Sequence, residues 1–344
     1  MLIDAIGLFL AVSLLFYCLF AGADFGAGIL EAFRGTHRRE EQGTIISHAI
    51  GPVWEANHVW LILAVVILFT GFPNAYSALS ITFHIPLTLM LIGIVLRGCA
   101  FAFRHYDAVR DNSQRYYTTI FIVSSFLAPV MLGVVAGGTL LGASSPVEEG
   151  FYAAFIRPWA NLFCFSIGVF TCVLFTFLAA VYLIGETQET EMRQIFVRRA
   201  RIVNVLAIVA GVGVFIAAEL DGLPLTRLFA GRHLSLGSMV GATVILVPLW
   251  IAVRQHRVHA ARLLVAAQVG LVLIGWFRLQ YPIIVNSRSN PLTIYTAAAP
   301  EPTLRYLLYA LIVGAVLIFP ALFYLLKIFK LSEADDLAKS SAGS

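Results

Sequence analysis

The sequence predicts an all-α integral membrane protein with nine transmembrane helices. Three observations carry that expectation. Of 344 residues, 60% are hydrophobic and only 12% charged, about half the charged share of a soluble domain, which is roughly 25%. Mean hydropathy is +0.87, and the apolar residues gather in runs that recur from one end of the chain to the other. Arginines fall between those runs in an alternating pattern, which gives the chain an inside and an outside.

A bilayer core takes about 20 apolar residues per helix. Applied in order, that places spans near residues 5–30, 53–72, 78–102, 118–141, 159–184, 201–221, 234–254, 260–281 and 303–330. The first opens without a basic segment or a small-residue cleavage site and exceeds a signal-peptide core in length, so it is expected as a retained helix. The second follows Gly51–Pro52, read as a cap and first-turn pair. The eighth ends on Arg278 and Gln280, which blurs its boundary. The longest connections, near 31–52 and 282–302, are too short for a soluble domain. Residues 1–330 are therefore expected as one polytopic membrane domain, and 331–344, "LSEADDLAKSSAGS", as a disordered cytoplasmic tail.

Arginine sets the orientation. The odd-numbered connections hold Arg34, Arg38 and Arg39, then Arg104, Arg110 and Arg115, then Arg193, Arg198 and Arg199, then Arg254, Arg257 and Arg262. The even-numbered ones hold only Arg157, Arg227, Arg232 and Arg288. The positive-inside rule then puts the odd connections and the C-terminus in the cytoplasm and the N-terminus outside. The basic stretch "RQHRVHAAR" is expected against anionic lipid. The outer connection "YPIIVNSRSNPLTIYTAAAPEPTLRYLL" carries an apolar insert and is expected to fold against the bundle. Trp54, Trp60, Trp159 and Trp250 stand at span ends, as interfacial anchors do.

Charges inside spans are expensive and are the first place to look for function. Asp24 lies late in helix 1 within "AGADFGAGIL", where Gly22, Gly26 and Gly28 permit close helix contact. Glu55 opens helix 2 and Arg97 lies near the end of helix 3, in "LIGIVLRGCAFAFR". Helices 1, 2 and 3 alternate in direction, so all three residues belong to the cytoplasmic half. Each has a plain structural explanation. A helix dipole favours Glu55 in a first turn, Arg97 can snorkel to the headgroups, and Asp24 can pair with Arg97 for packing alone. Together they describe a polar inlet suited to proton uptake, and His58, three residues after Glu55 on the same helical face, joins it.

Histidines limit what the chain does by itself. A membrane b-type haem sits between facing imidazoles. Only His58 and His84 lie in spans, and they are expected at opposite depths, so the chain is expected to ligate no cofactor and no metal. The four cysteines, Cys18, Cys99, Cys164 and Cys172, sit inside apolar runs with no CxxC spacing. P-loop, HExxH and dinucleotide fingerprints are absent from the sequence, and no catalytic redox centre is expected in it.

"GADFGAGIL", "GPVWEANHVWLI", "LRGCAFAFR" and "NPLTIYTAAAPEPTL" occur in this order along the chain. As an ordered set they resemble subunit II of the cytochrome bd-type quinol oxidases, over essentially the whole sequence. The resemblance implies two four-helix bundles, helices 1–4 (about 5–141) and 5–8 (about 159–281), plus one peripheral helix 9 (about 303–330). It implies a heterodimer with a haem-bearing subunit I that holds two b-type haems and one d-type haem, with quinol as substrate. A small single-helix accessory subunit and lipid are further partners, and no nucleic acid is. The complex reduces dioxygen to water in a bacterial cytoplasmic (inner) membrane, taking protons from the cytoplasm and building a potential without pumping. Glu55 and Arg97 match the family's proton-route acid and arginine, Asp24 the second acid of its "DGFDxG" motif, and Trp60 an aromatic bordering an oxygen path. Ala21 stands where many relatives have the first acid, and Thr296 replaces another. Both departures resemble the cyanide-insensitive branch, and they leave Glu55 the stronger candidate.

Two other readings stay open on the residues. A proton-coupled secondary transporter also uses intramembrane acids, and a structural scaffold subunit would share the fold and give the acids no role.

Overall fold

In the computed structural model the apolar runs become a bundle of long helices. The structure describes residues 1–35, 38–106, 113–142, 150–187, 189–286 and 291–342; the side chains of 39–40, 48, 50–56, 105–106, 113, 322–323 and 325–342 lie outside it. In chain order the helices are α1 (Leu2–Ala32), α2 (Arg39–Gly71), α3 (Pro73–Thr82), α4 (His84–Tyr106), α5 (Ser113–Leu141), α6 (Phe151–Phe155) and α7 (Leu162–Leu183). They continue with α8 (Thr190–Leu220), α9 (Leu225–Ala230), α10 (His233–Val244), α11 (Leu246–Arg254) and α12 (Val258–Gln280). A two-stranded β1 (Ile283–Val285) and β2 (Leu292–Thr293) precede α13 (Glu301–Ala342). The segment expected as a tail continues the helical backbone of α13.

Among the described residues, eight helices are long and apolar enough to cross a membrane. The second expected span falls on a bent pair, Asn57–Gly71 and Pro73–Thr82, which meet at 117° and bring the count to nine if taken as one crossing. The bend has a local cause. Phe72 leaves helical geometry (φ −134°, ψ 58°) and Pro73 takes the first position of α3, where its missing N–H costs no hydrogen bond.

Two expected boundaries are corrected. The third span starts at His84, not near 78, because Phe83 breaks the helix and buries its ring against Gly138 of α5. The second helix starts at Arg39, so Gly51–Pro52 is not its beginning. Residues 39–50 carry enough of an apolar face to be helical: Ile46 is fully buried, and Ile45 and Ala49 pack on the same core. The seventh span, expected at 234–254, is found at His233–Arg254, with an interruption of helical geometry at Ile245 between α10 and α11, where the Pro248 ring conflicts with the carbonyl four residues earlier.

The core is built around α1, α5 and α7. α1 packs on α2, α5 and α7; α5 on α4; α7 on α8 and α12; and α12 on α10 and α11. Of the candidate spans among the described residues, α7 is the most buried, and α13 packs against α1 and α2. Glycine sets the closest approach. A Cβ on Gly26 would stand 2.5 Å from the carbonyl carbon of Phe175 in α7, and one on Gly28 would overlap Ser125 of α5.

At the expected outer face the connection after α12 folds back as anticipated. β1 pairs antiparallel with β2, Ile283 opposite Thr293. Ile294, Ala297 and Ala299 join a buried cluster with Ile6, Ile67, Phe72 and Leu304, and Ala299 N–H donates to Gly71 O at 2.9 Å. At the other end Arg38 donates to Glu189 at 2.7 Å, tying the start of α2 to the start of α8. That bond holds the Glu189 carboxyl below its ordinary range.

Candidate functional site

The glycines around Asp24 bring α1 against α5 and α7, and that contact seals the Asp24 carboxylate away from solvent. Asp24 and Arg97 are each 1% exposed. Arg97 Nη2 stands 2.5 Å from Asp24 Oδ1, a charge contact rather than an aligned hydrogen bond, and donates to the Asp24 main-chain oxygen at 2.8 Å. Asn57 of α2 donates through Nδ2 to Asp24 Oδ2 at 3.2 Å. The guanidinium lies over two rings, 4.9 Å from the centroid of Phe25 and 4.8 Å from that of Phe121. An arginine this buried needs such company: two π faces and a carboxylate replace its water. Snorkelling does not describe Arg97.

Half-buried His58 lies within electrostatic range of Asp24 and Arg97. Asn57 Oδ1 and Arg97 Nε make no hydrogen bond among the described residues, so the site retains one acceptor and one donor beyond the pair. The site is thus a neutral buried ion pair with spare hydrogen-bonding capacity. Such an arrangement can hold a carboxylate in place and take further hydrogen bonds beside it.

A second charged group sits beside it. Glu31 is the acid two turns further along α1, and its side chain is fully buried. Arg34 reaches its Oε1 at 2.9 Å. Arg104 of α4 takes both oxygens, Nη2 to Oε1 at 3.0 Å and Nη1 to Oε2 at 3.1 Å.

Residues 3–329 match the family model described as cytochrome bd terminal oxidase subunit II. The chain belongs to that family. It is similar to cytochrome bd ubiquinol oxidase subunit 2 of Bacillus subtilis (strain 168), 30% identical over 173 residues, 48% of each chain. It is similar also to cytochrome bd-I ubiquinol oxidase subunit 2 of Escherichia coli (strain K12), 28% identical over 219 residues, 62% of this chain and 57% of that one. The chain thus spans about half the length of the curated relatives it matches. Its fold is that of a chain in the structure of bd oxidase from Geobacillus thermodenitrificans, with a TM-score of 0.76 at 20% identity, covering 96% of this chain and 99% of that chain.

Within this subunit II chain the expected residues separate into two places. Asp24, Arg97 and His58 come together. Glu55 is in α2 two residues before Asn57, and its side chain lies outside the described residues. Trp60 is elsewhere and is not an interfacial anchor: it is 3% exposed and stacks on Phe16 at 4.5 Å. It lines a cavity of about 70 Å³ between α1, α2 and α13, with Ser13, Leu63, Gly314 and Phe319. Asn57 was not singled out by sequence, and neither was the Glu31 cluster. The signal for Asn57 was its place one residue before His58 on a helix already carrying Glu55.

The in-span histidines do not fit a haem held between two imidazoles. His58 lies 13 residues before the end of α2, about 20 Å along the helix, whereas His84 opens α4 beyond the bend at Phe72 and bonds Ile81 O at 2.9 Å.

Proposed function

We propose that this chain is the haem-free subunit II of a quinol:oxygen oxidoreductase, packed against a haem-bearing subunit I. Its Asp24 site, with Arg97, Asn57, His58 and Glu55, lines a proton route from the cytoplasm. On this reading subunit I carries two b-type haems and one d-type haem. Quinol supplies the electrons, dioxygen becomes water, and the protons for that water enter from the inner side of a bacterial cytoplasmic membrane. Arginine-rich segments at the end of α1, at the end of α4 and at the start of α8 favour a cytoplasmic position for this end, with the N-terminus outside.

The observation that carries the reading is the burial of Asp24. A carboxylate and a guanidinium at 1% exposure inside apolar helices are expensive to keep, and intramembrane ionisable groups mark ion and proton paths by default. Asp24 accepts and releases the proton, Arg97 holds the carboxylate geometry in both states, and Asn57 orients the second oxygen. The free Asn57 Oδ1 and Arg97 Nε are the contact points for a hydrogen-bonded chain leading toward His58. The cavity beside Trp60 is apolar on most of its wall and suits a small apolar gas better than water, which supports oxygen access there.

Glu55→Gln tests the route. In the intact complex the haem spectrum should be unchanged and quinol-driven oxygen consumption should fall by about 100-fold, the scale of a lost proton-transfer group. Normal turnover with normal haem content would favour a scaffold role for the site. A chain that purifies colourless and alone would favour the transporter reading.

A further inference from the structure

We infer that Glu31 is a positioning residue for the Asp24 site: by neutralising cations one rung further along the same helices, it keeps the Asp24–Arg97 pair intact and able to take up a proton. The inference rests on the proton-route reading above. The two acids are seven residues apart on α1, and Arg97 and Arg104 are seven apart on α4, so each helix presents its pair on one face about 10.5 Å apart. The result is a two-rung ladder, Asp24 to Arg97 and Glu31 to Arg104. A single ring spans the rungs. Phe121 of α5 lies 4.8 Å from the Arg97 guanidinium and 4.9 Å from that of Arg104.

The rungs differ in charge. The Asp24 rung is neutral, whereas the Glu31 rung has one carboxylate and two arginines, Arg34 and Arg104. Arg199 of α8 stands within electrostatic range of Arg34 and is answered by the neutral Gln42 Oε1 at 2.5 Å. The groups facing the two acids are therefore His58, Asn57 and Gln42 from α2, Arg97 and Arg104 from α4, and Arg199 from α8. On α1 itself Tyr17 lies within range of Asp24. α5 contributes Phe121 and Ser125, and α7 contributes Phe175, none of which titrates. Glu31 is the one described carboxylate among them besides Asp24. Without it, Arg104 loses the carboxylate that holds its two terminal nitrogens, and Asp24 becomes the nearest described acid for an arginine that already shares an aromatic ring with Arg97. One unbalanced charge at about 10 Å, at an effective dielectric near 20, makes proton binding roughly tenfold harder, or about one pH unit.

The test uses the intact complex with quinol as donor, reading haem content and oxygen consumption across pH. Glu31→Gln should assemble with its haems, lose about tenfold in turnover at neutral pH, and show the alkaline limb of its pH profile displaced about one unit toward acid. Glu31→Asp should restore most of both. Adding Arg104→Gln to Glu31→Gln returns the rung to its native charge and should move the profile back. An assembled Glu31→Gln complex with an unshifted profile overturns the inference, as does a double variant that fails to move it back. If neither the single nor the double variant assembles, Glu31 serves folding only and the inference falls. Asp24→Asn separates the two readings. Normal turnover there sinks the proton route itself, whereas slow turnover in Asp24→Asn beside an unshifted Glu31→Gln sinks only the role of Glu31.

Discussion

Arg97→Gln is expected to destabilise the fold by about 3–5 kcal/mol, the scale of leaving one member of a buried ion pair alone, and to abolish accumulation of the assembled complex. Several losses coincide. Asp24 would be left at 1% exposure with the Asn57 amide at 3.2 Å in place of its ion-pair partner, and must either carry an unpaired buried charge or take up a proton. The donor to the Asp24 main-chain oxygen would be displaced, and the rings of Phe25 and Phe121 would lose the cation between them. The informative companion is the double variant Asp24→Asn with Arg97→Gln. Both charges are gone and the shapes are nearly kept, so most of the stability should return, seen as recovered haem absorbance in membranes. Turnover should stay low, because an amide takes up no proton in the place of the carboxylate. A double variant that both assembles and respires like the parent would make the pair a packing device.

Asp24 and Arg97 were legible in the sequence because an ionisable residue inside an apolar run is conspicuous, and because alternating helices put the two at one depth. Their direct contact was only one of several expectations, since snorkelling would have served Arg97 equally well on sequence grounds. Glu31 was hidden for the opposite reason. It falls just past the expected end of the first span, where a charge looks solvated, and only the approach of α4 and α5 shows that its side chain is fully buried. Asn57 is an unremarked polar residue until α1 is seen against α2. The start of α2 was misjudged because Gly51–Pro52 carries the chemistry of a helix beginning, while the apolar face of Ile45, Ile46 and Ala49 is short and interrupted by polar neighbours. Local punctuation lost to tertiary burial there, as it did at Phe83. Trp60 shows the same limit: a tryptophan near a span end looks like an anchor until Phe16 and Phe319 are found against it.

The second large effect is expected at Gly26. A single methyl there, in Gly26→Ala, would stand 2.5 Å from the carbonyl carbon of Phe175 and 2.9 Å from Ala179 Cβ, against 3.4 Å for ordinary contact. The nearer neighbour is main chain in the middle of α7, which no rotamer change can move aside, so α1 and α7 must separate by about 1 Å. Overpacking of this kind costs about 1–3 kcal/mol. The functional loss should be larger than the loss of stability suggests. Asp24 is two residues from Gly26 on the same helix, and a displacement of about 1 Å at a site that depends on geometry can cost about 100-fold in rate. Gly7→Ala is the control, since a Cβ at Gly7 meets nothing within 4 Å and alanine should stabilise that helix position by about 0.5–1 kcal/mol. Thermal unfolding of the purified complex in detergent, followed beside oxygen consumption, separates the two variants. If Gly26→Ala melts and respires like the parent, then α1 and α7 are not locked at the contact that holds Asp24 in place. The position of that carboxylate must then be set from the α4 side, by Arg97 alone.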